Sequence, residues 1–402
     1  MKVVYAFPEP LPLDRACGVQ VAHAVVELAH RGVEVELVHV PAPPPAPAEG
    51  DESNPAPVQK TGVPHPLRYY DLEAPSTLTL VPLSRSLPWP LERVHSNGFF
   101  LRRLERRLAA YRRLPPAERP ILLVRHPKLA ALLLERDPGF ALVYEAHEVF
   151  ADTGPPAKQA GLAALETTIM RRAAHVIANS SATAARLAER YGAGDQAQII
   201  TVLPNGVDWP LSLPEKDWPR AGRHIVYSGS FFAWKGVADL VQAAGELPGC
   251  HITLLGGNTA QVRREQERKP AAGAELDFRG HVPHREVARA LQSACIAVLP
   301  NRDDPDSRFT SPIKLFEYMA AGCAIVATDL PALRDILPAD AAVWARPGDA
   351  RALADALRGL AADPARAQAL GAQVRELARG LTWQARAEKL EALLGSIQPP
   401  SA

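Results

Sequence analysis

The stretch FTSPIKLFEYMAAGCAIVATD, residues 309–329, decides the fold class that this sequence predicts. Its pattern predicts a loop, a short helix, a glycine stop and a buried strand. Thr310 and Ser311 are residue types that cap helices, and Pro312 suits the first helical position, where a missing N–H costs nothing. Gly322 predicts a left-handed helix end, and the continuous apolar run behind it is typical of a parallel sheet. A strand end beside a helix N-terminus predicts a binding site for an anion.

The rest of the chain alternates between short apolar strands and helices in two blocks. The first block runs to residue 205, and the second covers residues 206–382 after a stretch rich in proline. A last helix is predicted within residues 383–402. At 402 residues the chain exceeds the length at which a single hydrophobic core stops growing. We therefore predict an α/β protein with two Rossmann-like domains, each built on a parallel sheet.

Composition argues against several other classes of protein. Hydrophobic residues make up 47% of the chain, which is enough for two cores. The formal net charge is only +1, so we expect no nucleic-acid partner. The four cysteines lack metal-ligand spacing, the N-terminus lacks a signal-peptide pattern, and no apolar run approaches the length of a membrane span. We expect a cytoplasmic protein with no metal and no other cofactor.

Three residues follow predicted strands at positions that suit a binding site. His147 comes directly after the strand predicted at residues 141–145, and open α/β sheets bind ligands at the carboxyl ends of their strands. Lys235 lies at a strand-to-helix turn, where an ammonium group beside free backbone amides can neutralise a diphosphate. An exposed loop side chain is the alternative for both residues. Gly18, at the first strand-to-helix turn, is either an ordinary turn residue or part of a site.

The helix of the opening stretch carries a family resemblance. The spacing Lys314-x-x-Glu317, with the small residue, glycine and buried strand that follow, resembles the donor-site motif of glycosyltransferase family 4, the group 1 glycosyl transferases. Together with Ser311 and the proline after it, the spacing is similar to a variant found in several subgroups. Phe309 stands where the family has its first Glu, and Ser230 stands where members often have Arg.

The resemblance implies a GT-B fold, in which two Rossmann-like domains face a cleft and the last helix crosses back onto the first domain. It implies transfer of a sugar, with retention of anomeric configuration, from a nucleoside-diphosphate sugar. The acceptor would be a glycan, a lipid-linked molecule or a small molecule. Residues 1–205 with the last helix would form the acceptor domain, and residues 206–382 the donor domain.

The resemblance also implies roles for individual residues. His147 and Lys235 would be catalytic, and Glu317 would accept hydrogen bonds from the nucleotide ribose. Lys314 would pair either with Glu317 or with a phosphate of the donor. The implied donor-binding residues are Gly18, Gly229, Ser230, Lys235, Phe309, Thr310, Ser311, Ile313, Lys314 and Glu317.

Residues 101–114, LRRLERRLAAYRRL, predict a basic amphipathic helix. Six arginines surround one apolar stripe, which consists of Leu101, Leu104, Leu108 and Tyr111. Such a helix either packs its stripe into the domain core or lies on an anionic membrane surface. A peripheral membrane contact through these residues would suit a lipid-linked acceptor.

Other functions share this architecture. A dinucleotide dehydrogenase is disfavoured because no G-x-G-x-x-G pattern follows the first strand. A nucleotide-sugar epimerase is disfavoured because the sequence shows no matching set of a carboxylate and a histidine. A non-catalytic partner subunit with the same fold is the remaining alternative, since Phe309 and Ser230 both depart from the donor-site pattern.

Overall fold

The structure is a computed structural model, and it describes residues 1–13, 15–42, 65–87, 96–136, 139–192, 200–209, 216–218, 223–309 and 311–397. Thr310, one of the predicted donor-binding residues, lies outside the described residues. Within the described part of the chain, no helix is both long and apolar enough to cross a membrane.

Strands occur in two groups along the chain, as the alternation predicts. The strands of the first group are β1 Lys2–Leu11, β2 Glu34–Pro41, β3 Leu78–Pro82, β4 Ile121–Val124, β5 Leu142–Ala146, β6 His175–Ala178 and β7 Ile200–Val202. The strands of the second group are β8 His224–Ser228, β9 His251–Leu255, β10 Glu275–Gly280, β11 Ile296–Leu299, β12 Ala324–Thr328 and β13 Val343–Ala345.

Helices separate most of these strands. Those of the first domain are α1 Ala16–His30, α2 Asn97–Tyr111, α3 Pro127–Arg136, α4 Phe150–Thr153, α5 Gln159–Arg172 and α6 Ser181–Tyr191. Those of the second domain are α7 Val237–Ala244, α8 Thr259–Glu267, α9 His284–Ser293, α10 Pro305–Arg308, α11 Ile313–Ala320, α12 Pro331–Arg334, α13 Ala350–Ala361 and α14 Pro364–Ala378. The last helix is α15, Trp383–Ser396.

The two groups of strands form two parallel sheets. The first sheet has the order β3-β2-β1-β4-β5-β6-β7, and the second has the order β10-β9-β8-β11-β12-β13. In the first sheet β1 pairs with β4 from Val3 opposite Ile121 to Ala6 opposite Val124. In the second sheet β8 pairs with β11. At each of these pairs the order of strands reverses, which opens a crevice at the carboxyl ends. The predicted fold class is therefore confirmed.

Helices cover both faces of each sheet and enclose an apolar layer on each side. In the first domain, one layer includes Leu104 and Leu108 of α2. The other layer includes Val25 of α1 together with Leu390 and Leu394 of α15. Each fully buried leucine contributes about 1.5–3 kcal/mol to folding. Because α15 follows the second domain in sequence and packs on the first, the predicted crossover helix is confirmed.

The start of α11 differs from the prediction. The helix begins at Ile313, its N-cap residue is Pro312 in an extended conformation, and no side chain of the described residues caps it. The predicted capping by Ser311 is therefore wrong, because the helix begins one residue later than predicted and the Ser311 hydroxyl has no partner among the described residues. The predicted left-handed end at Gly322 is confirmed by a φ angle of 63°.

Helix α2 also settles one of the alternatives drawn from its pattern. Leu101, Leu104 and Leu108 are fully buried in the core of the first domain. The apolar stripe therefore serves the domain core and is not available for insertion into a lipid surface.

Candidate functional site

Lys314 is the buried cation of the predicted donor site. Its side chain points from the first turn of α11 towards the end of β8, and a Cβ atom placed on Gly229 would lie 3.4 Å from its Nζ. Nζ lies 4.1 Å from the centre of the Tyr227 ring and has no hydrogen-bond partner among the described residues. Burial, followed by the charge of nearby Lys235, lowers the pKa of Lys314 well below its usual range. The amino group thus has no partner in the described protein, and a bound anion would favour its charged form.

Gly229 lets this cation approach the backbone. Its φ of 136° lies in a region that L side chains rarely adopt, and its N–H donates to the carbonyl of Leu255 at 2.9 Å. Any side chain here would also narrow the space in front of Lys314. Both the backbone conformation and the space needed beside Lys314 therefore favour glycine at position 229.

Lys235 lies on the other side of the same turn. Its Nζ is 3.7 Å from the centre of the Trp234 ring, and the side chain is half-buried. The backbone of the turn is held by Tyr227, whose hydroxyl donates to the carbonyl of Ser230 at 2.8 Å. The turn thus brings a second cation near Lys314, as the effect of Lys235 on the pKa of Lys314 indicates. Two cations around one strand end favour a ligand with several negative charges.

Glu317 has a partner that the sequence did not suggest. Its Oε1 lies 2.8 Å from Nε2 of His284, at the start of α9. This hydrogen bond raises the pKa of His284, and the carboxyl of Asp208 acts in the same direction. The predicted alternative that Lys314 pairs with Glu317 is not seen in the described residues, which leaves the phosphate alternative open. Ile313, one turn before Glu317, is half-buried.

The segment before α11 is bound to the first domain. Phe309 packs into the apolar layer of that domain, and its carbonyl accepts a hydrogen bond from Nδ2 of Asn179 at 3.2 Å. The carbonyl of Ser311 accepts from Nδ2 of Asn205 at 2.8 Å. Phe309, which replaces the carboxylate of the family motif, therefore contributes to contact between the two domains.

His147 follows β5 on the first-domain side of the cleft. Its carbonyl accepts from Nδ2 of Asn179 at 2.9 Å, so one amide group joins His147 to Phe309 across the domains. Both ring nitrogens are buried and lack a hydrogen-bond partner within the described residues. Burial and the charge of Arg125 lower the pKa of His147 to about 4, so the ring is neutral at pH 7. A neutral imidazole with two open nitrogens can donate to and accept from a ligand hydroxyl.

Gly18 has a structural reason to be a glycine. A Cβ atom there would lie 2.5 Å from the carbonyl oxygen of Leu13 and 2.5 Å from the hydroxyl of Tyr70. The neighbouring carbonyl of Cys17 accepts from Nη1 of Arg125 at 3.3 Å. Because Arg125 also acts on the pKa of His147, the start of α1 lies on the same side of the molecule as that histidine. A role of Gly18 in donor binding stays a prediction.

The structure thus brings most of the predicted residues to one region between the domains. It adds Asn179, Asn205 and His284, which the sequence did not single out as site residues. Asn179 lies at the end of one predicted strand and Asn205 two residues after another, and this position was their only local signal. His284 had no local sequence signal, because its partner Glu317 is 33 residues away.

Two family models match the chain. One, described as Glycosyltransferase Family 4, matches residues 18–209, and the other, described as Glycosyl transferases group 1, matches residues 222–363. Together they cover most of both domains and leave out residues 1–17, the connection between the domains and the last part of the chain.

Individual proteins with similar sequences or folds support the same grouping. A glycogen synthase of Mycobacterium tuberculosis is 30% identical over 232 residues, which are 55% of this chain and 54% of the relative. A phosphatidyl-myo-inositol mannosyltransferase of Mycolicibacterium smegmatis is 33% identical over 186 residues, or 44% of this chain and 47% of the relative. The chain thus spans about half the length of these curated relatives.

A solved structure has the same fold over nearly its full length. Sucrose-phosphate synthase from Thermosynechococcus elongatus has a TM-score of 0.73 and 20% sequence identity, with 98% of each chain covered. The strand orders, the crossover helix and the two matching family models agree with one another. The chain belongs to glycosyltransferase family 4, the group 1 glycosyl transferases, and has the GT-B fold.

Proposed function

We propose that the protein transfers a glycosyl group from a nucleoside-diphosphate sugar to an acceptor, with retention of configuration at the anomeric carbon. The observation that carries this proposal is the ammonium group of Lys314. It is buried beside Gly229 and lacks a hydrogen-bond partner in the part of the chain that the structure describes. A buried cation without a partner is costly, so its presence favours a site made for an anionic ligand.

The diphosphate is the part of the donor that this site suits. Breaking the bond between the anomeric carbon and phosphate leaves negative charge on the departing diphosphate. Lys314 and Lys235 lie where they would stabilise that charge, and both act within a partly buried site, where electrostatic interactions are stronger than in water. No metal is needed for this proposal, because the two ammonium groups supply the positive charge.

The nucleoside and the sugar would occupy the two sides of the diphosphate. Glu317 would accept hydrogen bonds from the ribose hydroxyls, with His284 holding its other side. His147 would contact the sugar from the first domain through its open ring nitrogens. The transition state carries positive charge at the sugar ring, as in glycosidases, so a neutral imidazole suits this position better than an imidazolium.

The acceptor is proposed to bind on the side of the first domain. A lipid-linked acceptor is one candidate, and one relative is named as a mannosyltransferase acting on phosphatidyl-myo-inositol. The side chains of Arg102 and Arg106 on α2, and of Arg113 just after its end, are exposed. These arginines would attract anionic headgroups without insertion of apolar side chains, by about 1 kcal/mol each near the membrane surface.

Nucleotide binding is the first test. Purified protein is titrated with UDP, GDP and ADP and with the corresponding sugar donors, and the melting temperature is followed. A ligand at 100 times its dissociation constant stabilises the folded state by about 2.7 kcal/mol. Glu317→Ala should weaken binding of the preferred nucleotide by about 1.5–3 kcal/mol, the range for a hydrogen bond to a charged group. A Glu317→Ala protein with unchanged affinity would remove this residue from the site.

Turnover separates the enzyme from a non-catalytic partner subunit. Consumption of the donor is measured by release of nucleoside diphosphate, with candidate acceptors present. The anomeric configuration of the product is read from NMR coupling constants. Nucleotide binding without donor consumption under any of these conditions would favour the partner-subunit alternative, and a product of inverted configuration would contradict retention.

A further inference from the structure

A buried ion pair lies next to His147 and joins the crossover helix to the first domain. Nη2 of Arg386, on α15, donates to Oε1 of Glu145 at 2.5 Å, and the two side chains are 5% and 4% exposed. The hydroxyl of Tyr5 donates to Oε2 of the same carboxylate. Nε of Arg386 donates to the carbonyl of Pro204 at 3.1 Å. Strands β1 and β5, the connection after β7 and helix α15 therefore meet at this ion pair.

This carboxylate is close to the ring of His147. Oε2 of Glu145 lies 3.9 Å from Nε2 of His147, too far for a hydrogen bond but close enough for a strong electrostatic effect. The charged groups that act on His147 are Glu145 from its own segment, Arg125 from the end of β4 and Arg386 from α15. Two cations thus face the ring together with one anion.

We propose that Arg386 is a positioning residue for glycosyl transfer, which by pairing with Glu145 keeps the imidazole of His147 neutral and open to the donor sugar. This inference rests on the proposed function of His147. Burial raises the pKa of Glu145, but the charges of Arg386 and of its other neighbours outweigh this effect and hold that pKa well below its usual range. The negative charge of the Glu145 carboxylate is therefore balanced by Arg386, and the carboxylate does not favour a proton on His147.

Loss of Arg386 should favour proton binding by Glu145 and His147. A buried carboxylate that has lost its cation favours uptake of a proton, either on Glu145 itself or on the neighbouring imidazole. In both cases the pair formed by Glu145 and His147 binds a proton at a higher pH than in the natural protein. The ring then becomes charged, or loses its negative neighbour, within the working pH range.

The experiment compares three variants with the natural protein. Arg386→Gln removes the charge, and Arg386→Lys keeps it. Arg31→Gln is the matched control, because Arg31 forms an ion pair of 2.5 Å with Glu391 between α1 and α15, away from the site. Protonation of His147 is followed by NMR of labelled histidine rings, assigned with His147→Ala. The value of kcat is measured from pH 5 to pH 9.

In Arg386→Gln we expect the protonation step of the pair, and the acid limb of kcat, to move up by about one to three pH units, the range for loss of a close opposite charge. Arg386→Lys and Arg31→Gln should keep the profile of the natural protein. The double variant Glu145→Gln/Arg386→Gln should return the protonation of His147 to low pH, because the unpaired carboxylate is gone.

The outcomes separate this inference from the proposed function. If NMR shows a shifted protonation of His147 in Arg386→Gln but the natural protein consumes no donor, the effect of Arg386 on His147 is upheld and the proposed function is contradicted. Normal turnover with an unmoved protonation step in Arg386→Gln would overturn the inference. If Arg386→Gln does not fold, Tyr5→Phe tests the same carboxylate, since loss of its hydrogen bond should move the step in the same direction. An unchanged step in Tyr5→Phe would then overturn the inference.

Discussion

Lys314 shows at the scale of one residue how a site is maintained at the expense of stability. Its ammonium group is buried over the Tyr227 ring and beside Gly229, with no hydrogen bond to offset the loss of water in the described protein. A cation–π contact restores up to about 2 kcal/mol. The remaining cost lowers the pKa of Lys314, and a bound anion would offset it by favouring the charged form.

This argument predicts opposite effects of Lys314→Met on stability and on binding. The free protein should be as stable or more stable, because an apolar side chain of similar size replaces a buried charge. Affinity for nucleoside diphosphate should fall by about 1.5–3 kcal/mol, since a hydrogen bond to a charged group is lost. Urea denaturation and calorimetric titration measure the two quantities. Lys269→Met, at an exposed lysine of the same domain, should change neither.

The pH dependence of the free energy of unfolding should also depend on Lys314. The pKa of Lys314 is lowered in the folded protein, so between that pKa and the value near 10.4 of an unfolded chain the unfolded state binds more protons. Stability of the free protein should therefore rise with pH across this window. Denaturation at a series of alkaline pH values is the measurement. A rise of equal size in Lys314→Met would show that other groups cause it.

Lys235 is expected to act on the rate more than on binding. If it stabilises charge that grows on the leaving diphosphate, Lys235→Ala should lower kcat by about 10²–10³-fold with a smaller change in KM for the donor. His147→Ala should also lower kcat and should leave the affinity for free nucleoside diphosphate nearly unchanged. Steady-state kinetics and calorimetry are compared for both variants. An effect of Lys235→Ala on KM alone would assign it to uniform binding.

At the scale of the element, helix α2 separates arginines that support the fold from arginines that face solvent. Arg103 donates to the carbonyls of Ser84 and Ser86, and Arg107 pairs with Glu36 at 2.8 Å. These two side chains hold the helix on the domain. The exposed arginines are the ones that remain for a membrane surface.

A membrane role of α2 therefore predicts a specific result. The protein should sediment with vesicles that contain anionic lipid, and binding should fall as salt rises, because exposed charges are screened beyond about 8 Å at physiological ionic strength. The variant with Arg102, Arg106 and Arg113 changed to Gln should lose this binding and stay folded. The control changes Arg171 and Arg172, at the end of α5, to Gln. Equal sedimentation of the natural protein with neutral and anionic vesicles would contradict an electrostatic contact.

At the scale of the whole molecule, two asparagines of the first domain form hydrogen bonds to the segment before α11 in the second domain. Asn179 bonds to the carbonyls of His147 and Phe309, and Asn205 bonds to the carbonyl of Ser311. Each such hydrogen bond contributes about 0.5–1.5 kcal/mol, which is enough to shift an equilibrium between open and closed domains. Phe309 adds apolar contact at the same place.

We expect the double variant Asn179→Ala/Asn205→Ala to open the cleft. Its radius of gyration in solution scattering should increase, and kcat should fall, because His147 and the lysines lie on different domains. Nucleotide affinity should change little, since the proposed nucleotide contacts lie on the second domain. The control is Asn258→Ala, which removes the N-cap of α8 at a cost of about 1 kcal/mol without touching the cleft. An unchanged radius and rate in the double variant would assign closure to other contacts.

The sequence by itself determined the elements of this protein and their order along the chain. Alternation of strands and helices, the glycine stop after α11 and the apolar stripe of α2 are encoded within windows of a few residues, where periodicity and turn chemistry act. The positions of Lys314 and Glu317 on α11, and of Lys235 and His147 after strands, followed from the same local patterns. For this reason the fold class and the region of the site were predictable.

The tertiary structure alone decided the partners of these residues. Glu317 meets His284, Phe309 packs on the other domain, and Arg386 reaches Glu145 across 241 residues of sequence. Ser311 does not cap α11, because the helix begins after Pro312, and its carbonyl instead bonds to Asn205 of the first domain. A charged or polar side chain bonds to whatever the fold brings near it, and that depends on how distant elements pack. Local sequence therefore places such a residue on an element but does not choose its partner.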